Sequence, residues 1–192
     1  MIPQRDLSRL SNRLAQQGGR RIPETVLERD YCLSWFLVGL AGSALRDRLA
    51  FKGGTALKKC YFGDYRFSED LDFSLIGQLS WEEIDRHLAV AFEETRRASG
   101  VELRLDRLDR HSHANSYTFY LAYKGPLPST RVKIVKTDIT ISERIVSPLE
   151  DRVLLRGYDE YRDLPEGVLV RTYSLEEIAV EKTVALLDRA RN

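Results

Sequence analysis

The 192-residue sequence is poor in the residues that staple, bridge or anchor a chain. It has two cysteines, Cys32 and Cys60, in neither a Cys-x-x-Cys pair nor any other zinc-like spacing. That excludes a disulfide-framed secreted domain and a structural zinc ribbon. Both have apolar or aromatic neighbours and read as buried thiols in a reducing compartment. Long hydrophobic runs are absent too: the broadly apolar stretch Tyr31–Ala41 is far short of the ~20 residues a membrane span needs. Residues 1–17 are polar and arginine-rich, with no apolar centre of the kind a secretory signal carries. The expectation is a cytoplasmic protein with no membrane partner. No internal repeat, low-complexity tract or Walker-type phosphate loop is found.

What is present suits one globular unit with enough chain to bury a core unaided. Charge is nearly balanced at +1 but unevenly spread: residues 1–60 hold 11 Lys+Arg against 5 Asp+Glu, and the remainder 19 against 24. A basic first third suits a phosphate-rich partner, or is a set of solvated helix faces.

Residues 4–17 read as a short polar helix ended by Gly18 and Gly19. Pro23 opens a longer one, with Glu24 in its first turn, that runs to about Leu49 and is apolar on more than one side. Leu49–Phe51 is a short strand running into Gly53-Gly54, after which Thr55–Tyr61 is helical. Phe67–Leu75 alternates as a strand does, with Leu71, Phe73 and Leu75 facing one way and Asp70, Asp72 and Ser74 the other. Ser80 and Glu83 form a capping box for a helix over Trp81–Ala98. Val101–Leu108, Tyr117–Tyr123 and Arg131–Ile141 are strands, the last with Val132 and Ile134, joined by Val135, as its apolar positions and Asp138 between Thr137 and Ile139. Residues 142–172 are broken by Pro148, Gly157, Pro165 and Gly167. Ser174, with Glu177 three residues on, starts a final helix. The fold class is α+β, a mixed sheet with flanking helices.

The chemistry is concentrated between Phe51 and Phe73. Asp70 and Asp72, two apart on a strand, point the same way with Cβ atoms roughly 6.5–7 Å apart, within reach of one divalent ion or a close pair. Asp138, if its strand is a neighbour, adds a third carboxylate, as metal ligand or as base on an acceptor hydroxyl. Gly53 and Gly54 allow close approach of a phosphate to backbone N–H groups at a helix start. Thr55 adds a hydroxyl, Lys58 reaches back from one turn in, and Arg66 and Ser68 precede the aspartates. Either signal alone is weak. Together they are complementary, one suited to a triphosphate and the other to its metal.

This tandem resembles the polymerase-β type of nucleotidyltransferase. Within it the sequence is similar to the AbiEii/MenT nucleotidyltransferase-like toxins of type IV toxin–antitoxin systems. The matching pieces are Glu28-Arg-Asp-Tyr31, Phe51-Lys-Gly-Gly-Thr-Ala-Leu-Lys58, Arg66-Phe-Ser-Glu-Asp-Leu-Asp-Phe73, Val135-Lys-Thr-Asp-Ile139 and Leu175-Glu-Glu-Ile-Ala-Val-Glu-Lys182. The resemblance implies that Gly53, Gly54 and Thr55 hold the phosphates of an NTP, with Lys58, Arg66 and Ser68 nearby. It implies that Asp70, Asp72 and Asp138 bind Mg²⁺ or Mn²⁺, and that Lys182 reaches the triphosphate from the last helix. It further implies transfer of a nucleotide to an acceptor, most readily the 3′ end of tRNA, which halts translation, and restraint by a cognate antitoxin. Protein nucleotidylation, or NTP binding without catalysis in the service of an antitoxin partner, are the alternatives.

The expected organisation is an N-terminal helical segment, 1–50, packed on a core of 51–192 as one compact unit. Relatives continue into an Arg-Asp-x-x-Asp segment, whereas this sequence stops at Arg189-Ala-Arg-Asn192, so the last helix is expected to be truncated. His111 and His113 read as a surface pair and His87 as structural. Trp35, Phe36 and the tyrosines of 117–123 read as core, leaving Tyr61 and Tyr65 as aromatics flanking the site.

Overall fold

The computed structural model describes residues 1–17, 21–109 and 115–191. Gly18, Gly19, His111 and His113 lie outside them. The chain builds α1 (Gln4–Gln16), α2 (Glu24–Ala41), β1 (Leu49–Lys52) and α3 (Gly53–Ala56), which continues as a π-type turn over Leu57–Tyr61. Then come β2 (Leu71–Leu75), α4 (Trp81–Ser99), β3 (Glu102–Leu108), β4 (Ser116–Lys124), β5 (Lys133–Thr140), β6 (Glu150–Val153), β7 (Leu169–Thr172) and α5 (Leu175–Arg191). The seven strands form one mixed sheet in the order β3-β4-β5-β2-β1-β7-β6. The expected α+β class, a mixed sheet with flanking helices, is what the chain adopts.

The sheet's centre sets the site. β1 and β2 run antiparallel with Lys52 opposite Asp72, while β2 and β5 run parallel with Asp72 opposite Asp138. β4 pairs antiparallel with β5, placing Thr118 opposite Asp138. Cross-strand partners share a face, so Lys52, Asp72, Asp138 and Thr118 form one row. The other face is apolar. Leu71, Phe73, Phe119, Leu121, Val135 and Ile139 are buried in one core with Phe36, Leu37 and Leu40 of α2 and Ile84 and Leu88 of α4. Each fully buried side chain of this size contributes roughly 1.5–3 kcal/mol.

Several boundaries differ from those read in the sequence. The long helix ends at Ala41, and Ala44–Asp47 is a separate 3₁₀ turn whose Ser43 hydroxyl accepts from the Leu45 N–H. The helix is enclosed on all sides, which hides its end from periodicity. At Gly39 a Cβ would lie 2.1 Å from Thr95 Oγ1, so α2 and α4 cross in contact there. The Phe67–Leu75 strand is confined to Leu71–Leu75, because residues 62–70 wrap around the α3 start instead of pairing. In β5 the inward set is Val135, Thr137 and Ile139. Val132 and Ile134 are exposed, on the face of Asp138. Residues 142–172, read as broken, contribute β6 and β7. Glu177 does not close a capping box: its carboxylate accepts from the Val146 and Ser147 N–H groups, while Ser174 accepts from the Glu177 N–H.

Candidate active site

Gly53 is the pivot. It sits at φ +76°, where a side chain is strained, and a Cβ there would lie 2.3 Å from Asp72 Oδ2. A Cβ on Gly54 would meet Ser68 Oγ at 3.1 Å and an Arg66 guanidinium nitrogen at 3.9 Å. The glycine turn, the loop bearing Arg66 and Ser68, and the strand end bearing Asp72 therefore converge on one spot at the start of α3. The opening N–H groups of α3, which have no partner within the helix, border it.

Asp72 is half-buried and accepts no hydrogen bond from any described residue. Burial, then the neighbouring carboxylates of Asp138 and Asp70, pushes its carboxyl up to about 6. Asp70, by contrast, is exposed. Asp70, Arg66 and Ser68 likewise have no hydrogen-bonding or ion-pair partner among the described residues.

The remaining predicted residues are placed differently. The Thr55 hydroxyl is buried and donates to the Asp70 carbonyl, so it positions the aspartate loop. Lys58 is also buried. Its ammonium donates to the Gly63 and Tyr65 carbonyls at 3.1 Å each and lies 4.2 Å from the Phe67 ring centroid. Burial lowers its pKa. It holds the 62–67 loop from beneath and does not face the glycine turn. Asp138 is engaged on both oxygens, by the Thr118 hydroxyl and by Lys136 at 2.6 Å. Lys182 is half-exposed on α5 and has no hydrogen bond or ion pair among the described residues.

Sequence reasoning missed a second polar cluster on the other side of Asp72. Lys52 Nζ donates to Glu143 and, at 2.9 Å, to Glu181 of α5. Glu143 also accepts from Ser74 and from the Tyr173 hydroxyl. Burial, then Glu143, pushes the Glu181 carboxyl up, while hydrogen bonds from Glu181, Lys52 and Ser74 outweigh burial and hold Glu143 low. This clamp ties α5, and with it Lys182, to the sheet. Lys52 and Glu181 stand beside Gly53 and Lys182 in sequence, the one clue to them. Glu143 lies in a segment without periodicity.

The basic first third is not an open patch either. Arg13 pairs with Glu160, Arg29 with Glu69, Arg46 with Asp151 and Lys59 with the buried Asp30.

As they stand, no three His, Cys, Asp or Glu side chains among the described residues converge closely enough to hold a metal ion. The donor chemistry nevertheless fits a hard divalent cation. Asp70 and Asp72 offer unpartnered carboxylate oxygens in a cluster whose negative charge Lys52 and Lys136 offset only in part, with Asp138 alongside on the next strand, about 4.8 Å away.

A mixed sheet with paired aspartates at a strand edge beside a glycine turn defines a nucleotidyltransferase-like α+β protein. The chain belongs to the family of nucleotidyl transferase AbiEii toxins of type IV toxin–antitoxin systems, whose model matches residues 35–192. Among curated proteins none matches it. Membership makes it a toxin nucleotidyltransferase, with NTP as substrate and an antitoxin as the partner such a system implies; the family generally uses a divalent metal. No helix among the described residues is long and apolar enough to cross a membrane.

Proposed function

We propose that the chain is a Mg²⁺-dependent enzyme that moves NMP from an NTP onto the 3′ end of tRNA and so blocks translation. The observation that carries this reading is Asp72: a half-buried carboxylate without a donor, flanked by Asp70 and Asp138 and pressed against Gly53. Such a group is poorly stable as an anion until a cation joins it. Asp70 and Asp72 would hold the metal, with Asp138 as third ligand once Lys136 releases it. When bound, the ion offsets the charge on the α-phosphate and on the departing pyrophosphate.

The backbone at Gly53 and Gly54, with Arg66 and Ser68, would bind the β and γ phosphates, and Lys182 would reach them from α5. A bond forms between the acceptor hydroxyl oxygen and the α-phosphorus as the bond from that phosphorus to the β-bridging oxygen breaks. The hydroxyl proton passes to a carboxylate, for which Asp138 is suited once free of Lys136.

The test is incubation with each α-³²P-NTP, Mg²⁺ and total tRNA, beside Asp70→Asn. Label entering tRNA with wild type alone is the expected result. Label on a protein band would make it a protein-modifying enzyme instead. The engagement of Asp138 by Lys136 and Thr118 favours a second reading, an NTP-binding module without catalysis that acts through its antitoxin. NTP binding with no label transferred to RNA or protein would select that one.

A further inference from the structure

The row of polar residues does not stop at Asp138. Beyond it, β5, β4 and β3 carry an open face on which Lys136 pairs with Tyr120 and Ile134 with Ala122. Val132 and Ile134 are exposed there and Lys136 is half-exposed, while Thr118 and Ala122 are buried. At Asp106 the β3–β4 register shifts by one residue, so that Arg107 comes to lie opposite Tyr120. Such a bulge re-aims the side chains beside it. Arg107 stands over the Tyr120 ring, with its guanidinium carbon 3.7 Å from the ring centroid, and pairs with Asp106 at 3.2 Å. Its side chain is still 55% exposed. Tyr120 is two residues along β4 from Thr118, whose hydroxyl is bonded to Asp138, a step of roughly 6.6 Å.

We propose that this face seats the unpaired 3′ end of a nucleic-acid acceptor, with Arg107, supported by Tyr120, as the platform on which a base stacks. The proposal rests on the reading of the chain as a transferase to nucleic acid. Three observations select this occupant. A guanidinium held against an aromatic ring and still half-exposed is open to a base, as single-strand binders use Arg and aromatic side chains. Arg104 and Arg107 share the single carboxylate of Asp106, so this pair keeps a net positive charge suited to a phosphodiester backbone, while Lys136 is bound to Asp138. The face is continuous with Asp138, so an acceptor stacked on Arg107 directs its terminal hydroxyl toward the carboxylates. Arg107 is thus a positioning residue, acting on the acceptor's base while the aspartates act at its hydroxyl.

The test is binding of a fluorescein-labelled single-stranded RNA hexamer at fixed ionic strength, together with NTP binding as a control on the fold. Arg107→Ala and Arg107→Lys should each weaken the hexamer about tenfold and leave NTP binding intact, because lysine keeps the charge but not the plane. Tyr120→Phe, which keeps the ring, should restore the affinity that Tyr120→Ala loses. Wild-type hexamer affinity in Arg107→Lys would overturn the proposal, since charge alone would then explain binding. Failure of the wild-type chain to bind the hexamer would overturn it as well. Hexamer binding with the expected variant pattern but no transfer of label to RNA would leave this face assigned and remove the enzymatic reading.

Discussion

Two polar clusters meet at Asp72 and are built in opposite ways. On the side of β1 and α5, Lys52, Ser74, Glu143, Tyr173 and Glu181 satisfy one another, and the hydroxyls and the ammonium all have acceptors. On the side of α3 and the 62–70 loop, Asp70, Asp72, Arg66 and Ser68 have no such partners among the described residues. An unsatisfied buried polar group costs roughly 1–3 kcal/mol. On the proposed reading, the half-buried Asp72 and Ser68 are where a ligand completes the bonds that the fold leaves open, while the exposed Asp70 and Arg66 face water. The two lysines nearby obey the same division. Lys58 and Lys52 belong to the closed set, although sequence position alone would have put Lys58 in the open one.

That contrast can be broken most severely at the open side. Asp72→Asn or Asp70→Asn should lower transfer by at least about 10²–10³-fold, read as label incorporated into tRNA. Gly53→Ala should come next. Its Cβ would meet Asp72, and the positive φ alone costs about 1–2 kcal/mol, so both transfer and the thermal midpoint should fall.

Lys58→Met should destabilise by about 1–3 kcal/mol, because the Gly63 and Tyr65 carbonyls lose their donor. The loosened loop should raise the KM for NTP more than it lowers kcat.

The raised Asp72 pKa sharpens the comparison through pH. Ionising Asp72 is harder in the folded protein than in the unfolded chain. Its contribution to stability is therefore fully present below about 4 and lost as pH rises through about 6. Above that pH, Asp72→Asn should stabilise the metal-free protein by about 1–2 kcal/mol, measured by urea titration. Transfer by the wild type should decline as pH falls through the same region.

The smallest effect belongs to the closed side. Glu181→Gln replaces a carboxyl already inclined to keep its proton with an amide that can still accept from Lys52, and should change stability by less than about 1 kcal/mol.

The candidate site was legible where neighbours in sequence are also neighbours in space. Lys52 and Asp72 are opposed across one antiparallel pair and Gly53 follows directly, so the glycine turn and the aspartate strand could be read as partners. The capping box at Ser80 and Glu83 was equally readable, being closed within one turn. Legibility failed where a residue's task depends on what packs against it. Nothing local distinguishes Lys58, buried under Phe67, from Arg66, which is open. Val132 and Ile134 look like core residues until β5 is seen to turn its other face inward. Glu143 belongs to no periodic segment and reaches the site only because its loop passes Lys52.

The sequence by itself determined the motifs, the alternating strand that carries Asp72, and the family, because these depend on residue identity and short spacing. Only the tertiary structure decided which cations are spent on the fold, that Asp138 is held by Lys136, and that Arg107 stands over Tyr120. Those outcomes depend on strand order and register, which pair residues far apart in the chain and set how much water, and so how much free charge, each group retains.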